Sequence, residues 1–362
     1  KNDFAGNTTK TYYHTANQSD SNYGEFQDEY WKIGKAYSIE QYDNANHLYT
    51  KTINKWDSFD LGGGSKFLKL AQTVNYNFDG DATHRDTAEG YTYDNSNGNV
   101  TQKVQWGEVS GQDNGTFTDT GSDKFTTDYA YASNASLSIV GLPSKETITD
   151  QNSLKVKESK FYYDLQALGS IIQGNLTKKE DWKVGTAYIN NQTTYNSYGL
   201  ATVSTDPRGK TTKYVYDAHN LYPATVTNAK NQSTNYLYNY ALGKMTQKTD
   251  PSKSVFQYVY DGLGRLIEEK QPDIATPSTL ITKAIYVYTD TPNAVSVKKS
   301  SYLDALNFAE SYTYFDGLGR KIQERQEAEG TVFAVKDYIY NNLGLITKES
   351  LPYFSANLSK TS

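Results

Sequence analysis

The 362-residue sequence has no cysteine, one methionine, four histidines and eight prolines. The missing cysteine excludes disulfides, a thiol nucleophile and Cys-ligated zinc. Long apolar runs are missing too. None approaches the roughly 18 residues that span a bilayer, so no membrane span is expected. Positive charge is scarce: 36 Lys and Arg against 41 Asp and Glu leave a formal charge of −5. A nucleic-acid binder would carry a basic excess, so no nucleic-acid partner is expected. The sequence opens on Lys1 and its only methionine is Met245, so it reads as a processed or truncated chain whose signal peptide would already be gone. Hydrophobic residues make up 36% and the mean hydropathy is −0.74, low enough to suggest disorder. What the chain has in excess is aromatic: 14% Phe, Trp and Tyr, with 33 tyrosines. Disordered chains are poor in aromatics, so ordered structure is expected.

The tyrosines recur as Tyr-x-Tyr: Tyr91/Tyr93, Tyr129/Tyr131, Tyr214/Tyr216, Tyr236/Tyr238, Tyr258/Tyr260, Tyr286/Tyr288, Tyr312/Tyr314 and Tyr338/Tyr340. Phe161/Tyr163 is a variant with Phe in the first slot. Asp or Asn follows the second Tyr as Asp94, Asp164, Asp217, Asn239, Asp261 and Asn341; in one copy Phe315 intervenes before Asp316. A looser copy reads Tyr195-Asn196-Ser197-Tyr198-Gly199. The fullest copies run Tyr260-Asp261-Gly262-Leu263-Gly264-Arg265 and Tyr314-Phe315-Asp316-Gly317-Leu318-Gly319-Arg320. From position 195 to 340 the second tyrosines lie 21 to 28 residues apart, and upstream the spacing widens. The sequence therefore divides into a lead-in with degenerate repeats over 1–190 and a regular array over 191–362.

Tyr-x-Tyr puts both rings on one face of a strand, because side chains alternate with period two. Tyr, Val, Ile and Thr around it favour strands. Asp or Asn with Gly then makes a tight turn, with Gly264 and Gly319 free to take positive φ. A second strand follows, and Pro207, Pro251, Pro272 and Pro352 mark the next corners. Each unit is thus a hairpin of about 20 residues, too small to stand alone, so successive units must pair. The expected fold is all-β, a repetitive antiparallel hairpin ribbon whose tyrosines stack in ladders across strands. Short helical turns are expected over Asp164–Ile172 and Asp304–Ser311.

Tyr-Asp-Gly-Leu-Gly-Arg followed by a short apolar strand and a Pro corner resembles the YD repeat of the Rhs (rearrangement hotspot) family. That family includes bacterial polymorphic toxins, the B and C components of insecticidal Tc toxin complexes, and teneurins. The stretches Lys10–His14, Gly24-Glu25, Lys32–Lys35, Tyr49–Thr52 and Leu351–Ser355 look like the Tc B-component and its Salmonella virulence-plasmid relatives. The resemblance implies a ribbon wound into part of a curved, hollow shell, secreted or at the cell surface. That shell encloses a toxic C-terminal cargo, which lies outside this chain. It implies a container wall, with the rest of the shell, the cargo and other toxin-complex subunits as partners, and no enzyme. The repeat residues Tyr93, Asp94, Tyr163, Asp164, Tyr216, Asp217, Tyr238, Tyr260, Asp261, Gly264, Arg265, Tyr314, Asp316, Gly319, Arg320 and Tyr340 are then structural.

No catalytic, cofactor or metal site emerges beside the repeat. His14, His47, His84 and His219 make no zinc pattern. His84-Arg85-Asp86 copies a kinase catalytic loop without its companion motifs. Asp79-Gly80-Asp81 starts like a calcium loop, but its sixth and twelfth positions are His84 and Gly90. Asp60–Lys66 is Gly-rich without phosphate-loop spacing. Asp94, Asp164, Asp217 and Asp261 recur at one register, which suits turn capping rather than chemistry at one place. Arg265 and Arg320 can pair with neighbouring acids. The competing reading is a surface adhesin or glycan-binding module, in which open Tyr faces and Trp31, Trp56, Trp106 and Trp182 stack on sugars. A β-sandwich or propeller enzyme finds no nucleophile, base and orienting group to support it. Exposed strand edges invite pairing, so the ribbon is expected to lean on further repeats or a partner for stability.

Overall fold

The computed structural model describes residues 6–15, 29–78, 82–291, 294–304, 306–330 and 332–356. Within them the chain is all-β, with 26 strands and two single-turn 3-10 helices, Tyr30–Lys32 and Ala135–Leu137. It divides into two compact units, Lys1–Gly199 with Ser204–Gly209, and Leu200–Val203 with Lys210–Ser362.

The first unit holds β1 (Thr8–Tyr13), β2 (Ala36–Tyr42), β3 (Leu48–Gly62), β4 (Ser65–Asn77), β5 (Arg85–Tyr93), β6 (Val100–Gly111), β7 (Phe117–Asp119), β8 (Phe125–Asn134), β9 (Ile139–Thr149), β10 (Lys155–Tyr163), β11 (Leu176–Val184) and β12 (Ala187–Tyr195). They form an antiparallel meander in sequence order, except that β6 pairs with both β7 and β8. Strand β13 (Ala201–Thr205) spans the division between the units. The second unit continues with β14 (Thr211–Tyr216), β15 (Pro223–Thr227), β16 (Ser233–Asn239), β17 (Lys244–Thr249), β18 (Val255–Tyr260), β19 (Leu266–Pro272), β20 (Leu280–Thr291), β21 (Ala294–Tyr302), β22 (Phe308–Phe315), β23 (Lys321–Glu327), β24 (Phe333–Tyr340), β25 (Ile346–Glu349) and β26 (Tyr353–Ser355). Again each strand pairs antiparallel with the next up to β24, whose remaining edge takes both β25 and β26.

Apolar burial is modest. Only twelve apolar side chains are buried among the described residues. In the first unit Ile53, Val74, Tyr76, Ala88 and Val109 form one cluster, flanked by Trp106 and Phe117. Ala132, Tyr163 and Ile171 form another, packed by Leu142, Phe161 and Leu176. With so small a core, the strand ladders and the side chains bridging them carry much of the cohesion.

One turn recurs. The N–H of Asp261 bonds the carbonyl of Arg265 at 2.9 Å, and the N–H of Gly264 bonds the carbonyl of Asp261 at 3.0 Å. Asp316–Arg320 and Asn341–Leu345 repeat these bonds. This is a type I turn closed by a left-handed residue. Gly264, Gly319 and Gly344 fill the left-handed place with φ of 76°, 75° and 81°. The same turn also closes hairpins at their other ends, with Asn231 and Lys253 left-handed. Beside the turn that follows a second tyrosine the ladder slips by one residue: Val259 faces Glu268, but Tyr260 faces Leu266. The same slip precedes Tyr93, Tyr131, Tyr163, Tyr216, Tyr238 and Tyr340. Such a bulge bends the strand and sharpens its twist.

The short helical turns are absent from the described residues. Asp164 and Leu165 sit at φ 53° and 60°, left-handed values that a right-handed helix forbids. At the second place Phe308 already begins β22, and the Asp304 carboxylate closes the preceding turn on the N–H groups of Leu306 and Asn307. In both, an Asp side chain competes successfully for backbone donors that a helix would need.

The turn geometry makes a prediction. Gly264→Ala or Gly319→Ala should each cost about 1 kcal/mol, because a Cβ is strained at positive φ. Gly262→Ala should be near neutral, since its φ is not positive and nothing lies within 4 Å of the added carbon. Urea unfolding of the three variants checks this.

Candidate functional site

The residues singled out by the repeat meet at the hairpin ends. Oδ1 of Asp261 accepts the N–H of Leu263 and of Arg265, each at 2.9 Å, and its Oδ2 accepts Nε–H of Arg265 at 2.7 Å. Asp316 does the same with Leu318 and Arg320, at the same three distances. In the variant copy, the Asn341 amide oxygen accepts from Leu343 and Leu345. Asp217 gathers the N–H groups of His219, Leu221 and Tyr222, and Asp94 takes that of Ser96. Asp164 commands a longer loop, accepting four successive N–H groups from Ile172 to Asn175. The N–H of Arg265 is the largest of the influences that hold the Asp261 carboxyl below its usual pKa, and Arg320 acts likewise on Asp316. At Asp164 burial pushes upward, but the four N–H groups outweigh it and the carboxyl again lies low. These carboxylates are fully engaged as turn caps.

The second tyrosine of the repeat reaches out of its own turn. Its hydroxyl donates to a backbone carbonyl in the preceding hairpin: Tyr238 to Pro223 at 3.1 Å, Tyr260 to Met245 at 3.0 Å, Tyr288 to Leu266 at 3.0 Å and Tyr340 to Lys321 at 2.8 Å. In the first unit Tyr93 bonds Leu70, Tyr131 bonds Val100, Tyr163 bonds Pro143 and Tyr195 bonds Leu176. Among the acceptors, Val100, Leu176, Pro223, Leu266 and Lys321 each open the strand that follows a turn or loop, Met245 is the second residue of β17, and Pro143 lies inside β9. The bond therefore ties each hairpin to the turn of its predecessor. Tyr216 occupies the same register slot, facing Pro223.

The first tyrosine often donates to a glutamate that also holds a lysine. Tyr91 bonds Glu89 at 2.6 Å, and Lys103 reaches the same carboxylate at 3.0 Å. Tyr338 bonds Glu324 at 2.8 Å beside Lys321, whose ammonium lies 4.5 Å from the Tyr338 ring centre. Tyr286 bonds Glu269 at 2.6 Å. Arg265 sits 4.4 Å from the ring centre of Tyr288 and Arg320 sits 4.8 Å from that of Tyr340, so each turn cation covers the next tyrosine. Arg265 also reaches Asp290 at 2.5 Å. The expected ladder of stacked rings is thus replaced largely by hydroxyl bonds and interposed cations. Direct stacking is local, as in Tyr222 on Tyr238 with centres 4.6 Å apart.

One repeat residue is misplaced by the sequence pattern. Phe315, not Tyr314, is the counterpart of Tyr260. Phe315 faces Lys321 after a register slip, as Tyr260 faces Leu266. The inserted Phe315 shifts the pair by one, and a one-residue shift flips a strand's faces. Tyr312 therefore shares its face with Lys298 and Val287 rather than with Tyr286 and Tyr288. There it meets Phe333 edge-on at 5.7 Å, beside Arg325 and Gln323, each only 1% exposed. The structure also adds a turn at Asp43–His47, with Asn46 left-handed and Asp43 capping Ala45 and His47. It lacks a first tyrosine, and Tyr42-Asp43 with Asn three residues on was the only signal for it.

The remaining candidates have structural partners. His84 pairs with the buried Asp86 at 2.5 Å, His47 with Asp43 at 3.0 Å, and His219 packs edge-on to Tyr240. Trp56 and Trp182 donate to the carbonyls of Ala36 and Gly185, and Trp106 packs on Phe117. Asp79-Gly80-Asp81 and Gly24-Glu25 lie outside the described residues. Among the described residues, no group of three or more His, Asp or Glu side chains is placed to hold a metal ion, and no helix is long and apolar enough to cross a membrane.

Comparison with known proteins adds two family matches. The RHS Repeat family matches residues 238–273, and a domain of unknown function, DUF6443, matches residues 287–362. No curated protein matches the chain in sequence. In fold, it is similar to the TcdB2-TccC3 crystal structure, with a TM-score of 0.75 at 14% identity over 96% of this chain. It is similar to the TcdB2-TccC3-Cdc42 structure, with a TM-score of 0.76 at 12% identity over 96%. The Photorhabdus luminescens Tc holotoxin pore gives 0.75 at 12% over 97%. The chain spans only 26% to 28% of the length of those chains. At such identities the likeness is one of fold.

Two outcomes are expected of the tyrosines. Tyr260→Phe should destabilise by about 1 kcal/mol, the cost of losing one hydrogen bond, with Tyr238→Phe and Tyr288→Phe alike. The check is chemical denaturation. Burial, and then the carboxylates they bond, raise the pKa of Tyr91 and Tyr286 well above the usual tyrosine value. A raised folded pKa means their stabilisation is fully present below about pH 10 and is lost as pH rises beyond it. Absorbance titration should show these tyrosinates forming only as the fold opens, and ionisation of all tyrosines near pH 10 in the folded chain would contradict this.

Proposed function

We propose that this chain, an Rhs/YD-repeat protein in its matched repeat and its all-β fold, is a wall segment of a toxin-carrier shell. The observation that carries the reading is the hydroxyl bond repeated from hairpin to hairpin, as from Tyr260 to the carbonyl of Met245. It makes each hairpin depend on its predecessor, as a wall extended by repetition requires. It also commits the tyrosines to their neighbours, which supports a wall over an open aromatic platform for sugars. Likeness in fold to TcdB2-TccC3 and to a Tc holotoxin supports the same reading. In this reading the role is structural, not catalytic, and the chain is related to the Tc B-component group. The wall encloses a toxic C-terminal cargo and meets the rest of the shell and other toxin-complex subunits. It acts as a secreted or surface-borne virulence factor of the polymorphic-toxin type. The domain division we favour is a lead-in with degenerate repeats over 1–190 and the regular array over 191–362.

The test is mass spectrometry and peptide mapping of the native polypeptide that carries this sequence. The expected result is a mass well above 40.6 kDa, with further Tyr-Asp repeats and a detached C-terminal fragment retained until denaturation. A 40.6 kDa polypeptide with no associated fragment would contradict the proposal.

A further inference from the structure

We propose that Asn114 is a self-modifying site: its side-chain amide is displaced by the backbone nitrogen of Gly115, leaving aspartate and isoaspartate at the tip of the β6–β7 hairpin. Asn followed by Gly favours this reaction, because glycine carries no side chain to crowd the approach of its own nitrogen. The chain has two such pairs, Asn97-Gly98 and Asn114-Gly115. The fold treats them differently.

The turn over residues 112–116 has the backbone bonds of the repeat turn. The N–H of Gln112 bonds the carbonyl of Thr116 at 2.7 Å, and the N–H of Gly115 bonds that of Gln112 at 2.9 Å. Gly115 is left-handed at φ 79°. Gln112 stands where the repeat turn has its capping Asp, so the cap comes from the third place instead. Oδ1 of Asn114 accepts the N–H of Thr116 at 3.0 Å and its hydroxyl at 2.6 Å. Two donors on one oxygen draw electrons from the amide carbon. They also meet the negative charge which that oxygen takes on when a nucleophile adds. The neighbouring Asp113 carboxylate is offset by Lys51 at 3.0 Å.

Asn97 is held against the same step. Its Oδ1 accepts the N–H of Asn99 at 2.9 Å, and its Nδ2, the nitrogen that would depart, donates to Oδ2 of Asp94 at 2.8 Å. Charge developing on that amide faces a carboxylate. Asp261-Gly262 and Asp316-Gly317 are protected in another way. Each carboxylate accepts two backbone N–H groups and a guanidinium and is held low, so it stays ionised and is a poor electrophile.

The reagent is water. The Gly115 nitrogen gives its proton to water and bonds to Cγ of Asn114. The Cγ–Nδ2 bond breaks, and the nitrogen leaves as ammonia with a proton taken from water. Water then opens the resulting cyclic imide at either carbonyl. One opening gives aspartate. The other gives isoaspartate, whose main chain runs through the former side chain and is one carbon longer. That carbon enters between two anchors of the tip. The Tyr76 hydroxyl bonds the carbonyl of Gln112 at 2.5 Å, and Gln72 bonds that of Gly115 at 2.7 Å. Conversion therefore loosens the tip beside the cluster that contains Tyr76. The inference holds whether or not the ribbon encloses a cargo.

Timed incubation of the full 362-residue chain in warm, mildly alkaline buffer, followed by tryptic mapping, tests it. The two pairs fall in separate fragments, 86–103 and 104–124. The expected result is a gain of about 1 Da in 104–124, several-fold faster than in 86–103, with isoaspartate at position 114. Thr116→Val should slow that gain by about three- to tenfold and leave 86–103 unchanged, while Thr116→Ser keeps the rate. In urea the two fragments should convert at similar rates, because only the fold distinguishes them. No gain in 104–124, equal rates in the folded chain, an unchanged rate in Thr116→Val, or a difference that persists in urea overturns the proposal.

Discussion

The bond from a tyrosine hydroxyl to a carbonyl in the preceding hairpin is the interaction on which this architecture depends. A lone hairpin is marginal in water, and the apolar core here is too small to gather many hairpins by burial alone. Backbone ladders join adjacent strands, but they carry no sequence information. The Tyr260 hydroxyl reaches Met245 in the neighbouring strand β17, and Tyr288 reaches Leu266 in β19 in turn. Each bond specifies register as well as adding affinity, because a slip of one residue would turn the ring to the other face.

The turn and the bulge make that reach possible. Asp261 uses both carboxylate oxygens, one for the backbone and one for Arg265, which fixes the guanidinium over Tyr288 of the next hairpin. The slip before Tyr260 brings it opposite Leu266 at the strand's first residue. The intervening positions, Val215, Leu237, Val259, Val287 and Ile339, are exposed on the other face. One motif of a few residues thus caps a turn, bends a strand, and prepares a cation–aromatic contact for the hairpin that follows.

Much of this was legible in the sequence. The period of two in Tyr-x-Tyr, the Asp or Asn after it, and Gly264 and Gly319 at the left-handed place announced strands and turns, and hence the all-β ribbon. What could not be read was what each hydroxyl touches, since its acceptor is a backbone carbonyl with no side-chain signature. The bulge was hidden for the same reason. Phe315 misled because a one-residue insertion looks trivial in a string of letters yet reverses a face. The weak helical signals at Asp164 and Asp304 gave way to side-chain competition for backbone donors, a tertiary effect that local propensity does not contain. Membership of the YD-repeat group was legible from residues 260–265 and 314–320 alone, and the RHS Repeat match at 238–273 agrees with it.

The account stands or falls on whether the hydroxyl bond couples one hairpin to the last. The direct measurement is native-state hydrogen exchange on Tyr260→Phe, followed residue by residue. Coupling predicts lost protection in β18–β19 and also in the preceding β16–β17 hairpin around Met245, with the distant hairpins β5–β6 and β8–β9 unchanged. Loss confined to the strand that carries residue 260, or no loss at all, would contradict it.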